Sequence, residues 1–241
     1  LDRMRMLLMH GSHWLSQPNL RNFSVGIGSR DLEQLTLTHF DLVDIHRANL
    51  SSLNRAGSLR KLNLSHNKIS SFSNLTLFGV ESLTSLIVKA NLIQSIDEFN
   101  LNGLPNLECL DLSDNFISFI IINDVNNLRS LKSLYLDDNQ IKSIDGVAVD
   151  PNLLSLEFIS LLNNSINEIK NLDMQGLKRS LRIDLQAASR PFLYQYVDLN
   201  DVKSNLDRFL IKKIRILNAQ HQLKIYISIT IALDHNFEID C

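Results

Sequence analysis

The chain has 241 residues, a formal net charge of -2 and 44% hydrophobic residues, as expected for an ordered, soluble protein. The balanced charge excludes a general electrostatic attraction to nucleic acid or to acidic membranes. The longest apolar stretches, 116–122 and 225–233, are much shorter than the roughly 20 residues of a membrane span. We therefore expect neither nucleic-acid binding nor membrane insertion by this segment.

The first 31 residues do not fit a regular pattern. Leu20, Phe23 and Val25 have strand-like spacing, but Leu32 follows too soon for a complete turn between them. Residues 1–31 are thus interpreted as an irregular cap or a degenerate repeat. Because the chain starts at Leu1 and has no signal-peptide pattern, we interpret it as a fragment or a processed form.

From Leu32 to residue 191 one pattern recurs: Leu, two residues, Leu, one residue, Leu, two residues, Asn, one residue, Leu or Ile. The steps between copies are 27, 24, 24, 24, 25 and 24 residues. The copies begin at Leu32, Leu59, Leu83, Leu107, Leu131, Leu156 and, more weakly, Ser180.

The alternation within each copy predicts a short strand whose leucines point to one side. A single strand of this kind cannot bury its leucines, whereas stacked copies share a continuous interior. Later apolar pairs are predicted to close that interior from the convex side: Leu101 with Leu104, Val125 with Leu128, and Met174 with Leu177.

An asparagine occupies one equivalent position in five consecutive copies: Asn67, Asn91, Asn115, Asn139 and Asn164. An amide at the turn that leaves a strand can satisfy backbone groups of neighbouring turns. We predict a ladder of side-chain to backbone hydrogen bonds. Phe40 and Ala188 hold this position at the two ends, where we expect the ladder to fray.

Beyond Pro191 the pattern weakens, although Leu206, Phe209 and Ile211, and then Ile231, Leu233 and Asn236, keep its spacing. We predict degenerate repeats over 192–241. The only cysteines are Cys109 and Cys241, so no internal disulfide framework can be read from the sequence. Cys109 is predicted to be a passive thiol on the outward side of a strand.

These repeats resemble the leucine-rich repeat family, and the near-24-residue step resembles its animal extracellular subclass, which includes Toll-like ectodomains and secreted insect immune proteins. The resemblance covers residues 32–191. It implies an α/β solenoid, a curved horseshoe with a concave parallel sheet and an irregular, 3₁₀ or short helical convex side, spanning 1–241 as one domain. The ending at Cys241 resembles the entrance to a C-terminal cap, and an incidental cysteine is the alternative.

The resemblance further implies a protein or glycan-bearing partner bound on the concave face, and a site on the convex side or on an edge is the alternative. The register predicts a basic part and an acidic part of that face, with aromatic anchors. The predicted partner-binding residues are Lys61, His66, Lys89, Asp111, Asp114, Tyr135, Asp137, Asp138 and Phe158. Asn63, Lys68 and Leu162 are predicted to lie beside them.

Other chemistry-bearing residues carry weaker signals. His39 and His66 are equivalent in neighbouring copies, as are Asp114 and Asp138, and each pair is predicted to stack; a solvated surface is the preferred interpretation of both. His10 and His13 form a lone HxxH. No nucleophile motif, phosphate-binding loop or pair of catalytic carboxylates is found. We therefore expect no enzyme activity, no cofactor and no metal.

Five Asn-x-Ser/Thr sequons begin at Asn22, Asn49, Asn63, Asn74 and Asn163. Asn22, Asn49 and Asn74 are the candidates for glycosylation. Glycans on Asn63 or Asn163 would block the concave sheet, which favours either a cytosolic protein or a different binding surface. The leading interpretation is a secreted or receptor module for protein recognition, in innate immunity or adhesion. The alternatives are a cytoplasmic scaffold or regulatory subunit, and the substrate-recruiting part of a larger enzyme. Partner identity and oligomeric state stay open.

Overall fold

The fold is a stack of coils, each of which contributes a short strand. In the computed structural model the described residues are 6–10, 31–43, 57–70, 80–96, 101–121, 128–145, 155–166, 168–169, 182–186, 214–219 and 222–230. The strands within them are β1 (Met6–His10), β2 (Gln34–Thr38), β3 (Lys61–Asn63), β4 (Ser85–Ile87), β5 (Cys109–Asp111), β6 (Phe119–Ile121), β7 (Ser133–Tyr135), β8 (Ser143–Asp145), β9 (Phe158–Ser160), β10 (Glu168–Ile169), β11 (Arg182–Gln186), β12 (Ile214–Ala219) and β13 (Gln222–Thr230).

The main sheet contains ten of these strands, in the order β1-β2-β3-β4-β5-β7-β9-β11-β13-β12. From β1 to β11 every neighbouring pair is parallel. Parallel strands that follow one another in the chain require a crossover of a dozen residues or more, which a 24-residue period provides. The predicted solenoid is confirmed.

The leucines at the centre of each strand form one buried row. The register places Leu62, Leu86, Leu110 and Leu134 side by side, and each is 0% exposed. A fully buried leucine contributes roughly 1.5–3 kcal/mol relative to an exposed one. Since the row repeats in every coil, the core extends along the stack.

The far side of the core is closed by apolar residues that follow each turn. Leu101 and Leu104 are buried at a 3₁₀ turn, Leu101–Gly103, and Leu128 is buried in the next coil. Val125, Met174 and Leu177, predicted to act in the same way, lie outside the described residues. A second parallel sheet, in the order β10-β8-β6, adds regular strands where the sequence predicted an irregular or short helical side.

Strand β1 was not predicted. It pairs parallel with β2, with Leu7 beside Leu35 and Met9 beside Leu37, so it extends the leucine rows to the N-terminal side. Met6 and Leu8, on the other face of β1, are also apolar and are exposed. This run lacks the apolar and polar alternation that reveals a strand. Leu20, Phe23 and Val25 lie outside the described residues.

Beyond β11, in the part of the chain where the sequence predicts degenerate repeats, the described strands of the main sheet are antiparallel. Strand β11 still pairs parallel with β9, which places Ile183 beside Ile159. Strand β13 is antiparallel to β11, and β12 is antiparallel to β13. Only two residues separate β12 from β13, and a connection this short permits antiparallel pairing alone. The apolar residues on which the prediction rested, from Leu206 to Ile211 and from Ile231 to Asn236, lie outside the described residues.

Candidate functional site

The outer face of the main sheet is formed by the side chains that alternate with the buried leucines. Each strand contributes one residue before its central leucine and one after it. The first row contains Gln34, Lys61, Ser85, Cys109, Ser133 and Phe158, and the second contains Thr36, Asn63, Ile87, Asp111, Tyr135 and Ser160. We call these residues the outer sheet face, and it corresponds to the predicted concave face.

The predicted partner-binding residues fall into two groups. Four of them lie on the outer sheet face and are half-buried: Lys61, Asp111, Tyr135 and Phe158. The other five lie in the turns that leave the strands: His66, Lys89, Asp114, Asp137 and Asp138. Within the second group Asp137 is half-buried and the others are exposed. The structure therefore brings the nine residues to one side of the stack.

The aromatic anchors contact each other. The ring centroids of Tyr135 and Phe158 are 5.4 Å apart, with an interplanar angle of 65°. This edge-to-face arrangement is the one that ring quadrupoles favour. Register places Asp111 next to Tyr135 on the neighbouring strand. A carboxylate and a pair of rings thus share one part of the outer sheet face.

The turns adopt a repeated left-handed conformation. In each turn one equivalent residue has a φ between 54° and 63°, and these residues form what we call the turn column: His39, His66, Ala90, Asp114, Asp138 and Asn163. In the first turn Asp41 also has a positive φ, of 56°. Asn and Asp tolerate this conformation better than most residues do. Backbone hydrogen bonds join adjacent turns, for example from the Asp114 N–H to the Asp137 carbonyl at 2.8 Å. The turn column is thereby held in register with the sheet.

Asp137 fixes the turn of the following coil. Its Oδ1 accepts hydrogen bonds from the Ser160 hydroxyl at 2.5 Å and from the Leu162 N–H at 2.7 Å. Burial raises the pKa of the Asp137 carboxyl above its ordinary value of 3.8, although these two hydrogen bonds lower it. The charges of Asp138 and Asp111 raise the pKa further. The charges of Asp111 and Asp138 therefore act on the Asp137 carboxyl.

Two other polar residues of the outer sheet face cap their own turns. The Asn63 Oδ1 accepts from the Ser65 N–H at 2.9 Å and from its hydroxyl at 2.6 Å. The Asp111 Oδ1 accepts from the Ser113 N–H at 2.9 Å. An amide and a carboxylate thus perform the same structural task at equivalent positions.

The asparagine ladder is present along the described turns. In each of the five residues the Nδ2 donates to a leucine or valine carbonyl of its own coil and to one of the preceding coil. The Oδ1 accepts a backbone N–H of the preceding coil, as in the 3.0 Å bond from Ile117 to Asn139. At the N-terminal end Phe40 is half-buried in the ladder position, and its own N–H is satisfied by Asn67. Ala188 lies outside the described residues.

The histidine pair stacks in the turn column. The ring centroids of His39 and His66 are 4.6 Å apart and the planes are inclined by 18°. Among the residues that the structure describes, no group of three or more His, Cys, Asp or Glu is placed to hold a metal ion. The side chain of His10, and all of His13, lie outside the described part.

The prediction that Cys109 is a passive thiol is wrong. Cys109 is 6% exposed and takes part in a disulfide bond. Its register neighbour Ser133 is 0% exposed, and the Ser133 Oγ has no hydrogen-bond partner.

A lateral surface was missed by the sequence interpretation. Leu92 and Phe116 directly follow ladder asparagines in adjacent coils, and they are 42% and 45% exposed. Lys68 occupies the same position one coil earlier, where its Nζ lies 3.0 Å from Asp41. Lys68 thus belongs to this lateral surface and not to the outer sheet face. The sequence could have indicated this lateral surface, because the residue after each ladder asparagine is the first residue beyond the turn.

The sequons divide between described and undescribed parts. Asn63 is half-buried, and its amide is engaged with Ser65. Asn163 is exposed in the turn column, and its Nδ2 donates to the Asp138 Oδ1 at 3.0 Å. Asn22, Asn49 and Asn74 lie outside the described residues. Within the described ranges no helix has the length and apolar character needed to cross a bilayer.

Comparison with known proteins agrees with this geometry. A family profile described as "Leucine rich repeat" matches residues 81–141. Curated protein sequences give no match. A solved structure described as the LRIM1/APL1C complex has a TM-score of 0.50 and 20% identity, over 69% of this chain and 27% of that one.

Two bacterial structures are also similar. An internalin of Listeria monocytogenes shares 25% identity over 64% of this chain and 47% of its own, with a TM-score of 0.43. A leucine-rich repeat protein of Leptospira interrogans shares 24% identity over 64% and 44%, with a TM-score of 0.47. The chain thus spans less than half the length of each of these three solved chains. The repeated pattern, the stacked parallel strands and the profile match over residues 81–141 together show a solenoid built from leucine-rich repeats.

Proposed function

We propose that the chain is a non-catalytic recognition module that binds a protein partner on the outer sheet face and the adjoining turn column. One observation carries this proposal. Half-buried aromatic rings and charged side chains lie in register on one side of a sheet, in strands that the asparagine ladder holds together. Aromatic residues provide large contact area, and charges select the partner.

The rigidity of the surface supports the same function. Ordering mobile side chains and loops on association costs free energy, and a surface that is ordered beforehand avoids much of that cost. Here the backbone on both sides of the turn is hydrogen-bonded to the neighbouring coils. The backbone that carries the proposed binding residues is therefore ordered before a partner arrives.

An extracellular setting is part of the proposal. Disulfides persist in secreted and cell-surface proteins and are rare in the cytosol. The disulfide at Cys109 supports this setting. The family resemblance then favours a receptor, immune or adhesion role. Peptide mapping of the native protein without reduction tests this point: Cys109 isolated as a free thiol would contradict it.

Photo-crosslinking tests the binding surface. A benzophenone analogue of phenylalanine is placed at Phe158, on the outer sheet face, or at Phe116, on the lateral surface. Both variants replace a phenylalanine by the same analogue, so they differ only in where the crosslinking group lies. We expect partner crosslinks from position 158, lost in a second variant that also carries Tyr135→Ala, and none from position 116. Crosslinks from 116 alone would place the partner on the lateral surface and contradict the proposal.

A further inference from the structure

Charges of opposite sign occupy separate coils of the binding surface. In the coils of β3 and β4, the charged residues of the outer sheet face and the adjoining turns are Lys61 and Lys89. In the next two coils, which contain β5 and β7, the charged residues at the corresponding positions are all acidic: Asp111, Asp114, Asp137 and Asp138. The proposed binding surface therefore has a basic end and an acidic end.

The acidic end also offers apolar contact. The Tyr135 ring packs edge-to-face against the Phe158 ring, and Tyr135 is the register neighbour of Asp111. Asp137 follows Tyr135 in the same coil and accepts a hydrogen bond from Ser160, the register neighbour of Tyr135 on β9. The two rings and the carboxylates therefore occupy adjoining positions.

These features match one kind of ligand. A lysine or arginine side chain supplies the positive charge, the N–H donors and a long apolar stem that lies well against aromatic rings. Burial raises the pKa of the Asp137 carboxyl, and repulsion from the charges of Asp138 and Asp111 adds to that rise. A cation placed among these carboxylates would relieve that repulsion.

We propose, on the basis of the function proposed above, that the acidic end binds a cationic segment of a partner protein in which Lys or Arg flanks an apolar residue. The basic groups lie over Asp111, Asp114 and Asp138, and the apolar side chain packs on the Tyr135–Phe158 pair. The Lys61 and Lys89 coils disfavour a second cationic segment, so the partner binds in one orientation along the stack.

The chain itself provides precedents for neutral test variants. Asn63 caps its turn as Asp111 does, and Asn163 occupies the turn column with a φ of 55°, as Asp114 and Asp138 do with 56° and 54°. The triple variant Asp111→Asn, Asp114→Asn, Asp138→Asn therefore removes three charges at positions where Asn is already accommodated. Asp137 stays unchanged because it holds the next turn.

The matched control neutralises the basic end. Gln34 is the register neighbour of Lys61 on β2, and Ser113 is the equivalent of Lys89 in the next coil. The control is thus Lys61→Gln with Lys89→Ser. Circular dichroism and the urea midpoint verify that both variants fold as the unmodified chain does.

The probe is a library of random twelve-residue peptides displayed on phage and selected on the full chain. Selected peptides are then synthesised, and their dissociation constants are measured by fluorescence anisotropy at low and high NaCl. We expect peptides that combine Lys or Arg with an apolar residue. Their affinity falls about tenfold or more in the triple variant and falls with added salt, which screens exposed charges. In the control variant it is unchanged or higher.

Other results would overturn the inference in distinguishable ways. Acidic or neutral peptides, an unaffected triple variant, or a selection that yields no binder each reject the cationic ligand. If the selected peptides are acidic or neutral but lose affinity in Phe158→Ala, the outer sheet face is the binding surface and the proposed function survives. If instead they lose affinity only in Phe116→Ala, both proposals are wrong.

Discussion

Asn115 shows how one side chain supports several coils. Its Oδ1 accepts from the Ile93 N–H, and its Nδ2 contacts the carbonyls of Val88, Leu112 and Ser113 at 3.0–3.1 Å. The residue is 5% exposed, so water cannot replace these bonds. A buried backbone group without a partner is strongly unfavourable, and this explains why one residue type recurs at this position.

Replacing Asn115 by alanine is expected to lower the free energy of unfolding by roughly 2–4 kcal/mol, because several buried backbone groups lose their partner. The matched control is Asn106→Ala. Asn106 also joins neighbouring coils, through a 2.8 Å bond to the Glu81 carbonyl, but it is exposed. There water takes over, and a loss below about 1 kcal/mol is expected. Urea denaturation measures both; equal losses would contradict this account.

Asp137 predicts a pH dependence of stability. Because burial raises the pKa of its carboxyl, the folded chain retains a proton that the unfolded chain has already released above about pH 4. The Asp137 carboxyl therefore makes its whole contribution to stability below the pKa that it has in the unfolded chain. That contribution is lost as the pH rises through the higher pKa that it has in the folded chain. Asp137→Asn keeps the acceptor for Ser160 and Leu162 and removes the titration.

Urea denaturation of the chain and of Asp137→Asn between about pH 3 and pH 7 tests this prediction. We expect the unfolding free energy of the unmodified chain, relative to the variant, to decrease with rising pH. A difference that is constant or that increases with pH would show that the Asp137 carboxyl is not destabilised by burial.

At the scale of the element, each turn combines a left-handed residue with a ladder asparagine. His, Asp or Asn holds the left-handed position in five described turns, and Ala90 holds it in the sixth. An L-residue with a Cβ is strained in this conformation, and Asn and Asp relieve the strain through local hydrogen bonds. The turn after β4 is therefore the weakest of the six by this criterion.

Ala90→Asn is predicted to raise the free energy of unfolding by about 0.5–1 kcal/mol, since Asn accepts a positive φ at lower cost. Asp114→Ala, the reverse change one coil later, is expected to lower it by a similar amount. Urea midpoints of the two variants provide the measurement. A destabilised Ala90→Asn would mean that packing around the turn outweighs backbone strain.

At the scale of the whole molecule, the stack behaves as a one-dimensional array. Each coil contacts its neighbours, and the same buried row, turn column and ladder pass through the five coils from β3 to β9. Stability in such an array is approximately the sum of the coils and the interfaces between them. The array can therefore lose a complete coil, but not a fraction of one.

Deletion of residues 83–106, one 24-residue period, joins Ser82 to Leu107, which is equivalent to Leu83. We expect the shortened chain to fold, with an unchanged β-type circular dichroism spectrum, a lower urea midpoint and a smaller dependence on urea concentration. Deletion of residues 83–94 is the control. It brings a non-equivalent residue into register and should abolish cooperative unfolding. Equal behaviour of the two deletions would argue against a register set by the period.

The sequence alone determined the features that repeat. The leucine period fixes which side chains are buried and which strands are neighbours, and the asparagine period fixes the ladder, because both depend only on equivalent positions meeting in adjacent coils. The same register located Asp111, Tyr135 and Phe158 on one face. Whether these residues bind a partner stays a prediction.

Tertiary structure alone decided the features that do not repeat. The disulfide and burial of Cys109 on the outer sheet face, the pairing of β1 with β2 and the antiparallel addition of β12 and β13 all lack a signal in the repeat pattern. The reason is physical. A periodic pattern specifies contacts between equivalent positions, whereas these features join segments of different sequence, whose pairing depends on which surfaces the finished stack leaves available.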